Sequence, residues 1–190
     1  MKLLMHICCG PCTIYPLKEL RTSGHEVVGA FYNPNIHPYK EYQARLQSVR
    51  DFVRDHKMPA VFLNEYPLEQ TLELLSRERC PGCYRIRLEE TARQAKAQGF
   101  QAFSSTLLYS IYQKHDLIRE LGTEIGKKQG VEFFYRDFRT GWEEGRRISM
   151  EEDLYRQKYC GCIFSERDRY QKTVTAAAVK TKAEIKYQVK

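Results

Sequence analysis

The residues in this chain best suited to chemistry are its seven cysteines, which fall into three tight groups. Cys8, Cys9 and Cys12 sit together near the start, Cys80 and Cys83 form a C-x-x-C pair, and Cys160-Gly161-Cys162 closes the series. A C-x-x-C turn lets both sulfurs point at one ion, a spacing shared by redox dithiols and zinc sites. Adjacent Cys8 and Cys9 would point to opposite sides of a strand, so the Gly10-Pro11 turn must distort the backbone if both are to serve one centre. Together the two pairs supply four thiolates, a set that suits zinc or an iron–sulfur cluster, and spacing does not choose between them. Cys160 and Cys162 are too close for relaxed tetrahedral chelation. A disulfide across one residue is strained, hence labile, so the pair reads as a redox dithiol, with second-metal ligation as the competing role.

These thiols need a scaffold. Leu3 to Ile7 is an apolar run that reads as a buried strand, with the first cysteines at its carboxyl end, where ligands bind in open α/β sheets. Thr13 to Arg21 predicts a short helix and Glu26 to Tyr32 a second strand. Asn33 to Pro38 is an ordered turn, since Pro34 and Pro38 exclude regular structure. Tyr42, Leu46, Val49 and Val53 mark a helix from Lys40 to His56, and Pro59 to Leu63 a third strand. Leu68, Leu72 and Leu75 predict a helix that stops before Cys80, with helix again from Tyr84 to Gly99. Gln101 to Leu108 is a fourth strand centred on Ser104-Ser105-Thr106, Ser110 to Gln129 a helix, and Val131 to Tyr135 a fifth strand. Asp137 to Arg147 reads as a polar loop over the site and Glu151 to Lys158 as a short helix. A basic segment from Ser165 to Lys190 is expected to be helical. Strands alternating with helices predict a Rossmann-like, doubly wound parallel α/β sheet, with Cys80 to Leu88 as a helical insertion. One catalytic domain is expected over residues 1–170, followed by a basic, helical tail at 171–190.

At 190 residues and 42% hydrophobic, the chain can fill a core. No apolar run is long enough to cross a membrane, and no secretory leader is visible, so a cytoplasmic location is expected. There, thiols stay reduced, and clustered cysteines bind metal or do redox chemistry. The formal net charge of +7 suits a phosphate-rich partner.

Beyond these features, the chain resembles the cobalamin-independent epoxyqueuosine reductases, the QueH family, over about residues 3 to 170. The resemblance is carried by CCGPC at 8–12, NPNIHPYKEY at 33–42, CPGCYRIRLEETA at 80–92, FSSTLLYSIYQKH at 103–115, FFYRDFRTGW at 133–142 and LYRQKYCGCIFSE at 154–166. It implies a Rossmann-like fold of the HUP type and reduction of the epoxyqueuosine epoxide to the alkene of queuosine in tRNA anticodons. It also implies a [4Fe–4S] cluster on Cys8, Cys9, Cys80 and Cys83, and a redox-active pair at Cys160 and Cys162. A second, mononuclear iron beside the cluster would draw on Cys12 with a thiolate from Cys160 or Cys162. Where the family resemblance leads one to expect an acidic residue, the chain has Gln101.

Epoxide deoxygenation consumes two electrons and two protons. His6, His37, Tyr109, His115 and Asp137 are candidate acids, with Asp137 preferred because it follows a strand end. An electron donor is required, and the sequence does not name it. A modified base must leave its stack to enter a pocket, usually against aromatics and arginines. Tyr32, Tyr39, Tyr42, Phe138 and Tyr159 are candidates to stack, and Arg45, Arg85, Arg139, Arg156 and Arg167 to hold phosphates. One rival reading is a tRNA-thiolating ATP pyrophosphatase. It needs a glycine- and serine-rich phosphate loop after the first strand, where this chain has Cys-Cys-Gly-Pro-Cys. The other is a zinc-stabilised RNA-binding module without turnover, which would leave three cysteines without a task.

Overall fold

In the computed structural model, which describes residues 1–171, the sheet is built around the first strand. β1 (Lys2–His6) pairs in parallel with β2 (Glu26–Phe31) on one side and β4 (Ala102–Ser105) on the other. β3 (Ala60–Phe62) and β5 (Glu132–Phe133) complete the five-stranded order β3-β2-β1-β4-β5, all parallel. Leu3, Leu4 and Met5 are fully buried because helices cover both faces, which explains a continuous apolar run rather than an alternating one. The chain winds outward from β1 to β3, then crosses back to β4 beside β1. The carboxyl ends of β1 and β4 therefore flank the topological switch point, where a crevice opens.

The helices are α1 (Ile14–Thr22), α2 (Tyr39–Asp55), α3 (Leu68–Arg77), α4 (Arg79–Ala97), α5 (His115–Gln129) and α6 (Trp142–Glu151), with helix again over 163–171. This is the expected Rossmann-like α/β architecture. The expected tail at 171–190 lies outside the described residues, Gln171 excepted.

Several local expectations are corrected. Cys80-Pro81-Gly82-Cys83 is not a break before a helix but the first turn of α4. Pro81 is tolerated there because first-turn N–H groups have no partner within the helix. The fourth strand ends at Ser105, whose hydroxyl accepts the Leu107 N–H and tightens Thr106–Tyr109 into a 3₁₀ turn. The helix expected from Ser110 begins at His115, leaving residues 110–114 as a turn.

The largest shift falls between residues 137 and 158. The expected loop at Asp137–Arg147 is a 3₁₀ turn (Phe138–Gly141) followed by α6, and the helix expected over Glu151–Lys158 is irregular chain beyond Glu151. Charges mask this helix in the sequence. Glu143 pairs with Arg146 and Arg147 with Glu151 across helical spacings, leaving a narrow inner face of Trp142, Gly145, Ile148 and Ser149.

Candidate metal centre and its cleft

β1 ends at His6, and the next residues leave the strand, so alternation no longer governs Cys8 and Cys9. Gly10 enters a helical conformation, and Pro11 opens the 3₁₀ turn Pro11–Thr13, which returns Cys12 to the strand end. Gly10 is required for space: a Cβ there would lie 2.7 Å from Ser48 Oγ and 3.1 Å from the Ser48 carbonyl oxygen on α2. The result is three buried sulfurs, of Cys8, Cys9 and Cys12, all within 4.8 Å of one another. The Cys8 and Cys9 sulfurs are 3.8 Å apart.

The trio is electrostatically asymmetric. Hydrogen bonds from the Cys12 and Cys9 thiols hold Cys8 well below the usual thiol range, with further help from Thr106. Thr106 accepts the Cys8 N–H at 3.1 Å and donates its own hydroxyl to Cys8 Sγ at 3.3 Å. Cys12 is pushed up because it donates to Cys8 and Cys9, and burial pushes Cys9 up. Three sulfurs converging on one point are a soft donor set that fits a thiophilic metal, iron or zinc.

The other four cysteines gather apart from the trio. Cys80 and Cys83, one turn apart on α4, each feel the charges of Cys160 and Cys162. Burial raises both, Cys83 to about 11. Among the described residues, Cys8, Cys9 and Cys12 are the only set of three or more potential ligands drawn this tightly, so the four-thiolate set of Cys8, Cys9, Cys80 and Cys83 is not closed on one point. Cys160 is exposed, Cys162 is buried, and all seven cysteines are free. The disulfide expected as one state of the 160/162 pair is not the state seen.

One loop ties the three cysteine segments together. Asn33 donates from Nδ2 to the Ile7 carbonyl at 2.8 Å, and its Oδ1 lies 3.3 Å from His6 Nε2, pinning the chain ahead of Cys8. Asn35 Oδ1 accepts from Arg87 Nε at 2.7 Å. Arg87 lies one helical turn beyond Cys83, so this bond sets the rotation of the Cys80/Cys83 turn. The His37 N–H donates to the Gly161 carbonyl at 2.7 Å, and the Tyr159 hydroxyl donates to the His37 carbonyl at 2.6 Å. Gly161 adopts φ +138°, a conformation that favours glycine.

Arg45, fully buried on α2, completes the clamp. Its Nη1 and Nη2 donate to the carbonyls of Cys160 and Tyr159, each at 3.0 Å, and its Nε donates to Glu41 at 2.8 Å. The expectation that Arg45 holds phosphate is corrected: its donors are spent on the backbone that carries Cys160.

Cys8, Cys12 and Cys160 all line one cleft of about 780 Å³. Two glutamines that the sequence did not single out reach its sulfurs: Gln113 Nε2 donates to Cys160 at 3.2 Å and Gln157 Nε2 to Cys12 at 3.6 Å. Gln113 is itself held by the Tyr84 hydroxyl at 2.9 Å. Thr106, Asn33, Asn35 and Arg87 were given no role at the site by the sequence reading. The strings that contain them were visible, but ordinary polar side chains in a single sequence carry no mark of the sulfur or carbonyl they will meet.

Several expected site residues stand elsewhere. Asp137 caps the 138–141 turn and pairs with Arg139, whose hydrogen bonds lower its carboxyl to about 2. It is ionised at neutral pH, with no proton to give, and does not line the cleft, so the preferred acid is corrected. His6 is buried among Ser105, Tyr32 and Asn33, and burial lowers it to about 4. Burial likewise lowers His37 and His115. Tyr109 lines the cleft and burial keeps it protonated, but its hydroxyl is donated to the Trp142 carbonyl at 3.0 Å. Tyr32, Tyr42 and Phe138 are buried and cannot stack on RNA, whereas Tyr39 is exposed and Tyr159 lines the cleft. Arg85, Arg139 and Arg167 pair with Glu124, Asp137 and Asp168. Arg156 lines the cleft with no ion-pair partner among the described residues.

A parallel α/β layer fold with a soft-metal thiol set at its switch point, opening into a basic cleft, defines a Rossmann-like protein with a candidate metal or redox site. A sequence profile described as "Epoxyqueuosine reductase QueH" matches residues 3–168. The chain is 37% identical over 174 residues to the epoxyqueuosine reductase QueH of Dehalococcoides mccartyi, covering 90% of this chain and 96% of that protein. It is 36% identical over 182 residues to that of Thermotoga maritima, covering 89% and 92%. The chain belongs to the epoxyqueuosine reductase QueH family.

Solved structures agree on the fold. The U34-tRNA thiolase NcsA of Methanococcus maripaludis, described with its [4Fe–4S] cluster, superposes with a TM-score of 0.56 at 12% identity over 87% of this chain and 61% of that one. A predicted subunit of tRNA methyltransferase from Methanocaldococcus jannaschii gives 0.54 at 10% identity, over 80% and 75%.

Proposed function

We propose that this protein reduces epoxyqueuosine to queuosine in the anticodon of tRNA, breaking the two epoxide C–O bonds and releasing the oxygen as water. The observation that carries the reading is the convergence of Cys8, Cys12 and Cys160 on one cleft, in a chain of this family. The overall change is epoxide plus two electrons and two protons to alkene plus water. Oxidation of the Cys160/Cys162 dithiol to a disulfide releases two electrons and two protons, which matches the demand. Gln113 holds Cys160 toward the cleft, and the Arg45 clamp holds the carbonyls on both sides of Cys160, so the pair can change state without moving its anchors.

The donor set fits a thiophilic metal. We assign a [4Fe–4S] cluster to Cys8 and Cys9 with Cys80 and Cys83, and a second iron, where present, to Cys12 with Cys160 or Cys162. When bound, such a group supplies electrons one at a time and a Lewis acid that polarises oxygen. Support for the assignment is the trio's geometry, with the Cys8 thiol lowered by its neighbours' hydrogen bonds. The Cys80/Cys83 turn sits on the same Asn33–His37 loop. The electron donor is a separate reductant, and the protein works on tRNA in the cytoplasm. No helix among the described residues is long and apolar enough to cross a membrane.

The test is nucleoside mass analysis of epoxyqueuosine-containing tRNA after anaerobic incubation with iron-reconstituted protein and a chemical reductant. Queuosine should accumulate with time and protein concentration. No conversion by protein with verified iron and sulfide would overturn the reading.

A further inference from the structure

The cleft has a second wall that neither the thiols nor the expected stacking residues explain. Tyr112 lines it with 79% of its surface in water, and the Trp142 ring lies 5.5 Å away at an interplanar angle of 86°. Trp142 is fixed from beneath: Tyr109 is tilted against it at 5.2 Å and donates its hydroxyl to the Trp142 carbonyl. Gly145, one turn on, lets α6 close down on Tyr109, since a Cβ there would lie 2.4 Å from the Tyr109 hydroxyl. The turn bearing Tyr112 is held by its own N–H, which donates to Ser110 Oγ at 3.3 Å. An aromatic pair is thus mounted rigidly at a polar opening, with one ring almost bare.

Beside it the charge balance is one-sided. Arg156, Lys158 and Arg169 line the same cleft, and none has an ion-pair partner among the described residues. Among the described residues Asp168 is the only carboxylate in the lining, and it is already shared by Arg79 at 2.7 Å and Arg167 at 3.0 Å. Gathering cations without counter-charge is electrostatically unfavourable unless an anion is the intended occupant.

We propose that Tyr112 and Trp142 form a stacking platform for a base flanking the reacting nucleotide of a single-stranded RNA loop, with Arg156, Lys158 and Arg169 seating the adjoining phosphates. This rests on the reading that the substrate is RNA and names the wall that grips it. Single strands are held by stacking on aromatics above a basic track, and a base must be splayed from its neighbours before it can reach buried sulfurs. The platform takes the neighbour and frees the reacting nucleotide to enter toward Cys8 and Cys12.

The test uses the full chain, reconstituted with iron under anaerobic conditions, and a dye-labelled anticodon stem-loop RNA followed by anisotropy. Trp142 is the sole tryptophan, so its emission reports the platform directly. Saturating stem-loop should change that emission. Tyr112→Ala should weaken binding about tenfold and Tyr112→Phe should restore it, as loss of one base–aromatic stack predicts. Arg156→Gln and Lys158→Gln should each flatten the slope of log affinity against log salt by about 0.7, the counterion release of one single-strand phosphate. Lys127→Gln with Lys128→Gln, exposed at the far end of α5, is the control and should change neither.

Unchanged affinity in Tyr112→Ala, with an unaltered melting curve, overturns the proposal. So does unperturbed Trp142 emission at saturation, which would leave the basic rim to another acidic partner such as a reducing protein. Turnover is scored separately. Stem-loop binding that follows this pattern without queuosine formation sinks the proposed reaction and keeps the platform. Turnover with Tyr112→Ala binding as wild type does the reverse.

Discussion

The two thiol groups facing the cleft are built in opposite ways. Cys8, Cys9 and Cys12 grow from the central strand of the sheet, are themselves buried, and hydrogen-bond chiefly to one another and to Thr106. Cys160 and Cys162 lie on irregular chain, with one sulfur exposed and the backbone held by a buried arginine and an asparagine-rich loop. The first arrangement suits retention, because a strand end cannot move without disturbing the sheet. The second suits exchange, because a loop fixed by a few polar bonds leaves its sulfur reachable.

The sharpest way to break this contrast is to remove one sulfur from each group. Cys8→Ser should lose the cluster's iron and, with it, all turnover, whereas Cys160→Ser should keep the cluster's iron, sulfide and absorbance while turnover falls to background. Iron and sulfide assays beside nucleoside analysis decide it, and loss of iron in both variants would dissolve the division of roles.

Next in size is the clamp. Arg45→Met leaves the Glu41 carboxylate without its cation, with only the Tyr155 hydroxyl still donating to it, and strands two carbonyls, a loss of about 3 kcal/mol in urea unfolding. If the clamp serves the second group alone, Cys160 should also become more accessible to thiol reagents, with the first trio's iron content unchanged.

Acid should act on the first group. Burial lowers His6 from its ordinary 6.5 to about 4, so as pH falls the unfolded chain takes up the proton first. Stability of the metal-free protein should therefore be full above about 6.5 and fall by roughly 3 kcal/mol on the way to pH 4, at about 1.4 kcal/mol per unit. His6→Gln should flatten that part of a urea-midpoint profile. Smallest is Thr106→Val, which strands the Cys8 N–H and should cost about 1 kcal/mol in the same assay, with Thr106→Ser recovering it.

The same contrast governs what could be read in the sequence. β1, its apolar run and the cysteines at its end follow from residue types alone, because continuous burial leaves a continuous pattern. The alternation of strands and helices likewise gave the parallel sheet. What escaped is held by polar bonds between distant segments. The 137–158 stretch was misplaced because the charges of α6 hide its narrow buried face. Arg45 looked like a phosphate ligand because nothing local reveals that carbonyls at 159 and 160 will surround it. Cys12 had no firm role in the sequence, yet the 3₁₀ turn at Pro11 brings it into the tightest sulfur cluster among the described residues. That turn is a matter of three residues' backbone angles, below the resolution of periodicity.

The loop at 33–38 has a consequence for the order in which the protein is made. Synthesis delivers Cys8, Cys9 and Cys12 first, and β1, β2 and α2 can seat them with Asn33 in place. Asn35 waits for Arg87, and the His37 N–H and two arms of Arg45 wait for residues 159–161, near the end of the described chain. The early segment is thus born with the buried donors of His37 and Arg45 unmatched, and only the carbonyls of residues 159–161 satisfy them. Arrival of the redox pair is therefore also the event that completes the fold around the metal thiols, so a nascent chain that stalls short of Tyr159 exposes its sulfurs in a half-finished cradle.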